Sequence, residues 1–115
     1  MGYPDIQRAR EGRSTLQRIL QGYAGDGADL RALRRVVDAC REVSEAIDDE
    51  YCREKVRVVA EYAAEMLAHS VHHRWGVDFL KRQISESLEL IDSRLYSLEF
   101  IQSSGPARAA ALHFR

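Results

Sequence analysis

Three of the four histidines stand close together in the sequence, at His69, His72 and His73. His69 and His73 are four residues apart, so a helix would place both imidazoles on one face, one turn beyond Glu65. Two imidazoles and a carboxylate in that order can ligate zinc or another divalent ion. The HExxH and Glu-x-x-His signatures of helical metal sites are absent, and a complete site needs a further ligand, from His113 or from another helix or subunit. We therefore expect histidines that cover a helix end, with a divalent-metal site at His69 and His73 as the alternative.

The tetrapeptide Ala68–Val71 resembles the sequence around the phosphorylated histidine of histidine-phosphotransfer domains, which are also small helical bundles. The resemblance is confined to these residues and implies phosphotransfer at His69. In that family a lysine and a small glycine usually follow the histidine, whereas this chain has His72 and His73 in those places. Bulk at these positions would obstruct a docking response regulator, so the departure argues against phosphotransfer.

No other pattern in the chain indicates catalysis. The sequence contains neither a GxSxG motif nor a glycine-rich phosphate loop. Cys40 and Cys52 are too far apart for a CxxC motif and have no histidine near them in sequence, so we expect two buried thiols. The acidic run Asp48–Glu50 fits a helix start, where a capping role is sufficient. We expect no enzyme, no catalytic residue and no cofactor.

Charge is distributed unevenly along a chain whose 17 basic and 18 acidic residues nearly cancel. The net charge is +3 over residues 1–35, −5 over residues 36–70 and +1 over residues 71–115. Such blocks favour self-association or docking on a charged partner, and they lack the basic excess of a duplex-binding domain. Seven arginines form the first block: Arg8, Arg10, Arg13, Arg18, Arg31, Arg34 and Arg35. We expect them to pair with the acidic middle of the chain, with nucleic-acid binding as an alternative.

Length and hydropathy bound the class of protein. A chain of 115 residues with 45% apolar types fits one globular domain. No apolar run approaches the ~20 residues that a membrane span needs, and the N-terminus lacks the apolar core of a secretory signal. These features predict a cytoplasmic protein without a membrane segment.

The spacing of glycine and proline predicts helices over most of the chain. Proline occurs only at positions 4 and 106, and neither breaker occurs between Gly27 and Gly76. We predict a first helix over residues 4–23 with Gly12 as its weak point. The capping-box sequence Ser14–Gln17 offers a later start as an alternative.

Two apolar seams follow Gly27 and differ by about one position. The first has the heptad-like steps of Leu30, Leu33, Val37, Cys40, Ser44 and Ile47. The second comprises Cys52, Val56, Val59, Ala63, Met66 and Leu67. The shift predicts a turn at Asp48–Glu50, with Asp48 or Asp49 capping a new helix. The alternative is one long helix through residues 28–70 with a stutter.

A last helix has the clearest stripe, and Asp78 is its predicted N-cap. The stripe comprises Val77, Leu80, Ile84, Leu88, Ile91, Leu95 and Leu98. We predict that it stops at Ser103–Pro106. The chain is thus predicted to be an all-α antiparallel bundle of four helices over residues 1–106, followed by a C-terminal tail or short docking helix at 107–115. Three helices, with one long helix through residues 28–70, are the alternative.

These elements lead to an expectation about function. A short chain that commits its apolar residues to packing favours a non-enzymatic protein–protein interaction module: an adaptor, a chaperone-like factor, an inhibitor or an assembly subunit. We expect a homodimer, because the last stripe is long enough to serve both a core and an interface. The residues assigned to that interface are Leu88, Ile91, Leu95 and Leu98. Three tyrosines are expected at the edge of the core: Tyr51, Tyr62 and Tyr96.

Overall fold

The computed structural model of the protein describes residues 5–23, 27–68 and 76–113, with side chains as far as residue 102. Within these ranges it contains four helices, α1 (Ile6–Gln21), α2 (Leu30–Ala46), α3 (Glu50–Leu67) and α4 (Val77–His113), and no strand. Each helix packs on its neighbours in sequence, and α1 also packs on α4, which closes the bundle. The predicted all-α architecture of four helices is confirmed.

Aspartates begin the first three helices. Asp5, Asp29 and Asp49 each accept a hydrogen bond from the backbone amide three residues later, at 3.0 Å. Such N-caps stabilise a helix by about 1 kcal/mol because they satisfy an amide that has no partner within the helix. The backbone amides of Asp5 and Asp29 also donate to the carbonyls of Ala46 and Leu67, at 2.9 and 2.8 Å. The start of one helix is thereby joined to the end of another.

The predicted turn after α2 is confirmed. The second helix ends at Ala46, and the third begins at Glu50 with Asp49 as its N-cap. The alternative of one long helix through residues 28–70 is therefore wrong. A turn here lets the apolar faces of α2 and α3 both point into the bundle, whereas a continuous helix would have placed carboxylates on the buried side.

The predicted first helix over residues 4–23 is confirmed as Ile6–Gln21, and its alternative start is wrong because Ser14 lies inside the helix. Both predicted boundaries of the fourth helix are wrong. The fourth helix starts at Val77, so Asp78 is in its first turn, where its charge suits the positive end of the helix. The backbone of α4 also continues through Pro106 to residue 113, because a single proline removes one amide donor and does not always end a helix. The division of the chain at residue 106 stays a prediction.

The core is built from the predicted stripes of α3 and α4. All six apolar residues of the α3 stripe are buried. From the α4 stripe Leu80, Ile84, Leu88, Ile91 and Leu95 are buried, while Val77 and Leu98 pack on the edge of the core. These helices carry large apolar side chains at steps of three and four, so their inward faces are unambiguous.

The buried face of α2 differs from the predicted seam. The seam places Leu30 and Val37 inside, but both are exposed, and Ser44 and Leu33 are only partly buried. The residues of α2 that are buried are Ala32, Val36, Ala39, Cys40, Val43 and Ala46. The helix is therefore rotated from its predicted orientation, so that small residues and valines face the core.

Gly12 of α1 explains this orientation. A Cβ atom placed on Gly12 would lie 2.8 Å from Cγ2 of Val43 and 3.3 Å from the carbonyl oxygen of Ala39. The two helices thus approach closely at a residue without a side chain, and the facing surface of α2 must be made of small residues as well. Leu30 and Val37, on the opposite face of α2, point outward as a result.

Candidate functional site

The histidine cluster singled out from the sequence lies outside the described residues. This applies to His69, His72 and His73, and the side chain of His113 also lies outside them. The metal-binding alternative and the phosphotransfer resemblance at His69 both stay predictions. In the part of the chain that the structure does describe, no three His, Cys, Asp or Glu side chains come together as a metal site would require.

The two cysteines are buried free thiols, as predicted. The Sγ atom of Cys40 lies 4.0 Å from the carbonyl oxygen of Val56, across the contact between α2 and α3. Burial raises the pKa of both thiols to about 12, and for Cys52 the nearby Asp49 carboxylate adds to the increase. At neutral pH both groups are protonated, and neither thiol is activated as a nucleophile.

Three arginines of α1, Arg8, Arg10 and Arg13, are held in ion pairs with other helices, whereas Arg18 donates to Thr15 of its own helix. Arg8 reaches Glu42 of α2 at 2.6 Å. Arg10 meets Glu99 of α4 at 2.7 Å, and these hydrogen bonds lower the pKa of Glu99. Pairing with the acidic middle of the chain is thus confirmed for Arg8, whereas Arg10 pairs with α4 instead. These two guanidinium groups are occupied and are poor candidates for binding phosphates.

Arg13 lines a mixed-charge groove of about 310 Å³ between α1 and α4. Its Nη2 atom lies 2.9 Å from Asp92, while its buried Nε atom has no hydrogen-bond acceptor. Lys81, also in the groove, donates to the carbonyl of Tyr23 at 3.0 Å. With Glu89 on the same wall, the groove holds charges of both signs, and Ser85 also lines it.

The exposed face of α2 carries a regular stripe of apolar and basic residues. Leu30 and Val37 expose 66% and 43% of their surface, although both are apolar. Arg34 and Arg41, also exposed, follow them by four residues each. The four positions succeed one another at steps of four, three and four, which places them in one line along the helix. We call these four residues the α2 stripe.

The arginines of α2 differ from those of α1 in their partners. Among the described residues no carboxylate pairs with Arg31, Arg34 or Arg35, and Arg41 reaches only Asp38, at 3.7 Å. Apart from Arg18, the basic block predicted from the sequence therefore divides into a paired part on α1 and an unpaired part on α2. The unpaired part surrounds the exposed apolar residues of the stripe.

Exposed apolar residues also occur on the outer surface of α4. Tyr96 is 68% exposed and Ile101 is exposed as well, whereas Tyr62 packs at the core edge with its ring 6.4 Å from that of Phe79. The prediction of an edge position is confirmed for Tyr62 and wrong for Tyr51 and Tyr96, which are both exposed. The expectation that Leu88 and its neighbours in the stripe form a dimer seam is also wrong, because the core of the chain itself buries them. Those affected are Leu88, Ile91 and Leu95, with Leu98 partly covered.

No family model, curated protein or solved structure matches the chain. Within the described part no helix has the length and apolar character to cross a membrane. Sequence reasoning missed the α2 stripe because it assigned Leu30 and Val37 to the core. The signal that would have revealed the stripe is a second apolar face on the same helix, made of alanines and valines at steps of four and three: Ala32, Val36, Ala39, Val43 and Ala46.

Proposed function

We propose that the protein is a non-enzymatic protein–protein interaction module whose binding surface is the α2 stripe. The observation that carries the proposal is the exposure of Leu30 and Val37 between arginines without strong internal partners. Exposed apolar residues are common singly, but a regular line of them beside basic groups is a typical docking feature.

A partner that covers the α2 stripe would remove its apolar side chains from water. Full burial of a leucine or valine side chain contributes roughly 1.5 to 3 kcal/mol, so covering Leu30 and Val37 gives a partner two anchors. Arginine is enriched at such interfaces because its flat guanidinium packs on apolar groups while it donates hydrogen bonds. The α2 stripe offers both kinds of contact on a rigid helix.

The nucleic-acid alternative fits the same surface less well. Phosphate binding needs many basic groups, and Arg8, Arg10 and Arg13 are already engaged with carboxylates. The side chains of Leu30 and Val37 would gain little from a phosphate backbone, which offers no apolar surface to them. A protein partner makes use of all four residues of the stripe.

Capture from a lysate of the source cells tests the proposal by comparing variants. Tagged wild-type protein, a Leu30→Ser/Val37→Ser variant and a Leu90→Ser control are used in parallel, with isotope-based quantification of every captured protein. Leu90 is an exposed leucine of α4 outside the stripe, which makes it a matched control. We expect at least one protein to be captured by the wild type and the control and lost from the double variant. Equal capture by all three proteins would contradict the proposal, provided that circular dichroism shows each to be folded.

Self-association is a second candidate function, now through the outer surface of α4. Tyr96 and Ile101 are exposed there, and with Phe100 they line a shallow apolar depression of about 350 Å³. Sedimentation velocity of the wild type and a Tyr96→Ser variant tests this. A dimer that dissociates in the variant supports self-association, and a monomeric wild type at all concentrations excludes it.

A further inference from the structure

We infer that the partner segment of the α2 stripe is an acidic amphipathic helix that lies along α2. The inference rests on the proposed function and adds the chemistry of the partner to it. Three observations carry it: the spacing within the stripe, the unpaired positive charge around it, and a shallow groove that continues its line.

The spacing of the stripe matches a helical partner. Leu30 and Val37 are one heptad apart, and so are Arg34 and Arg41. On a helix this separation is about 10.5 Å. A second helix can contact the leucine and valine and the two arginines at the same time, as in a coiled coil. It needs an apolar residue and a carboxylate that each recur every seven residues. An extended segment repeats its side chains about every 6.6 Å on one face and would lose register after the first pair.

The charge around the stripe specifies the sign of the partner. Arg31 and Arg35 lie on the same exposed half of α2 as Arg34, and none of the three meets a carboxylate within the described residues. Of the three acids of α2, Glu42 and Glu45 are held by Arg8 at 2.6 and 3.2 Å, and Asp38 lies 3.7 Å from Arg41 in the second half of the helix. The first half of α2 is therefore a positively charged surface, which glutamates or aspartates of a partner would neutralise.

The line of apolar residues leads into a groove between α2 and α3. Ser44 stands one heptad after Val37 and lines this groove of about 300 Å³ together with Val56 and Ala60 of α3. An apolar residue of the partner at the next heptad position would enter it. Helix-in-groove docking of this kind uses anchors spaced by three or four residues and their multiples.

A membrane surface fits the stripe less well than a helix does. Helices that lie on membranes present a broad apolar face to the lipid. The broad apolar face of α2, with Val36 and Val43, is buried in the bundle, and outside it the apolar residues are separated by Arg34. A narrow stripe in which apolar residues alternate with arginines is matched by a single helix.

Selection from a peptide library tests the inference directly. The library displays helical peptides of three heptads with leucine at the a and d positions and with glutamate, lysine or serine allowed at each e and g position. It is selected on the wild type and counter-selected on the Leu30→Ser/Val37→Ser variant. We expect glutamate to be enriched at the e and g positions of the selected peptides. Enrichment of lysine, or no selection above background, overturns the inference.

Charge reversal then tests the pairing with one selected peptide and its lysine counterpart. The Arg34→Glu/Arg41→Glu variant should bind the acidic peptide at least about tenfold more weakly than the wild type and should prefer the lysine peptide. The Arg18→Glu variant, altered at an exposed arginine of α1, should bind like the wild type. Equal losses in the two variants would mean general attraction by charge and would overturn the inference.

Two further binding measurements distinguish a protein partner from a nucleic acid and from a membrane. Binding of wild type and charge-reversal variant is measured on heparin and on vesicles of phosphatidylcholine with phosphatidylserine. If either anionic surface binds more tightly than the selected peptide through the same arginines, the acidic-helix inference is wrong. If no peptide binds while the lysate partner is still lost in the Leu30→Ser/Val37→Ser variant, the inference fails and the proposed function stands.

Discussion

Arg94 of α4 holds Asp49, the residue that caps α3. The Nη2 and Nε atoms of Arg94 donate to the two carboxylate oxygens of Asp49 at 2.7 and 3.1 Å, and the same carboxylate accepts from the amide of Cys52 at 3.0 Å. Asp49 is mostly buried, so this pair is less screened by solvent than the surface ion pairs of the chain. It fixes α4 to the turn that ends α2, and thereby stabilises the bundle that presents the α2 stripe.

Substitution of Asp49 separates its two roles. Asparagine is as good an N-cap as aspartate but carries no charge, whereas alanine removes both the cap and the ion pair. We expect Asp49→Ala to lower the free energy of unfolding by about 1 kcal/mol more than Asp49→Asn. Urea unfolding measures the free energy of unfolding of both variants. The control is Asp38→Asn, because Asp38 is exposed and its partner Arg41 is 3.7 Å away. If the Asp49→Ala variant were as stable as the Asp38→Asn control, Asp49 would stabilise the fold neither as a cap nor through its ion pair with Arg94.

The same pair predicts how stability changes with pH. The hydrogen bonds from Arg94 are the main cause that lowers the pKa of Asp49 below its ordinary value of 3.8. Because the folded state favours the ionised carboxylate, the ion pair stabilises the fold fully above the ordinary pKa of Asp49. This stabilisation is lost as the pH falls through the lowered pKa. As the pH is lowered from about 5 to about 2, the free energy of unfolding should decrease more steeply in the wild type than in the Arg94→Gln variant. Parallel pH profiles would contradict the assignment.

Gly12 should not tolerate a side chain. In Gly12→Ala the new Cβ would overlap Cγ2 of Val43, and overpacking of this kind typically costs about 1 to 3 kcal/mol, more than the gain in helix propensity. Gly22→Ala is the matched control, because its Cβ would meet only carbonyl oxygens of its own helix at 3.4 Å or more. We expect a lower melting temperature for Gly12→Ala and an unchanged or higher one for Gly22→Ala.

A double variant shows whether the contact with Val43 is the cause. In the Val43→Ala background the methyl group that meets the new Cβ is gone, so Gly12→Ala should cost at least about 1 kcal/mol less there than in the wild type. Equal costs in both backgrounds would mean that helices α1 and α2 are not packed closely at this point.

The two thiols should be unreactive while the chain is folded. Burial raises the pKa of Cys40 and Cys52 to about 12, so the thiolate that attacks a disulfide reagent is scarce at pH 8. Labelling with an aromatic disulfide reagent should be slow in buffer and fast in urea, with two thiols titrated after unfolding. Rapid labelling of one cysteine in the native protein would show that its helix contact opens readily.

The fold was predictable from the sequence where large apolar residues repeat without competition. Helices α3 and α4 are of this type, and their stripes occupy the core as predicted. The turn at Asp49 was predictable because the two apolar seams on its sides are out of phase.

The α2 stripe was not predictable in this way because α2 offers two apolar faces. One face has Leu30, Leu33 and Val37, and the other has valines and alanines that fit against Gly12. The larger total size of its side chains favours burial of the first face, but the close approach of α1 leads to burial of the second. This approach depends on the packing of two helices and is not visible in the periodicity of either one. The ion pairs of Arg10 and Arg13 with α4 depend in the same way on how the helices align.

Nuclear magnetic resonance can show directly whether the α2 stripe is the surface that binds a partner helix. Isotope-labelled protein is titrated with the selected acidic peptide, and the shifts of all backbone amides are followed. We expect the largest changes on residues 30–41 and on the adjoining groove at Ser44 and Ala60. Largest changes on α4 at Tyr96 and Ile101, or in the α1–α4 groove at Lys81, would contradict it.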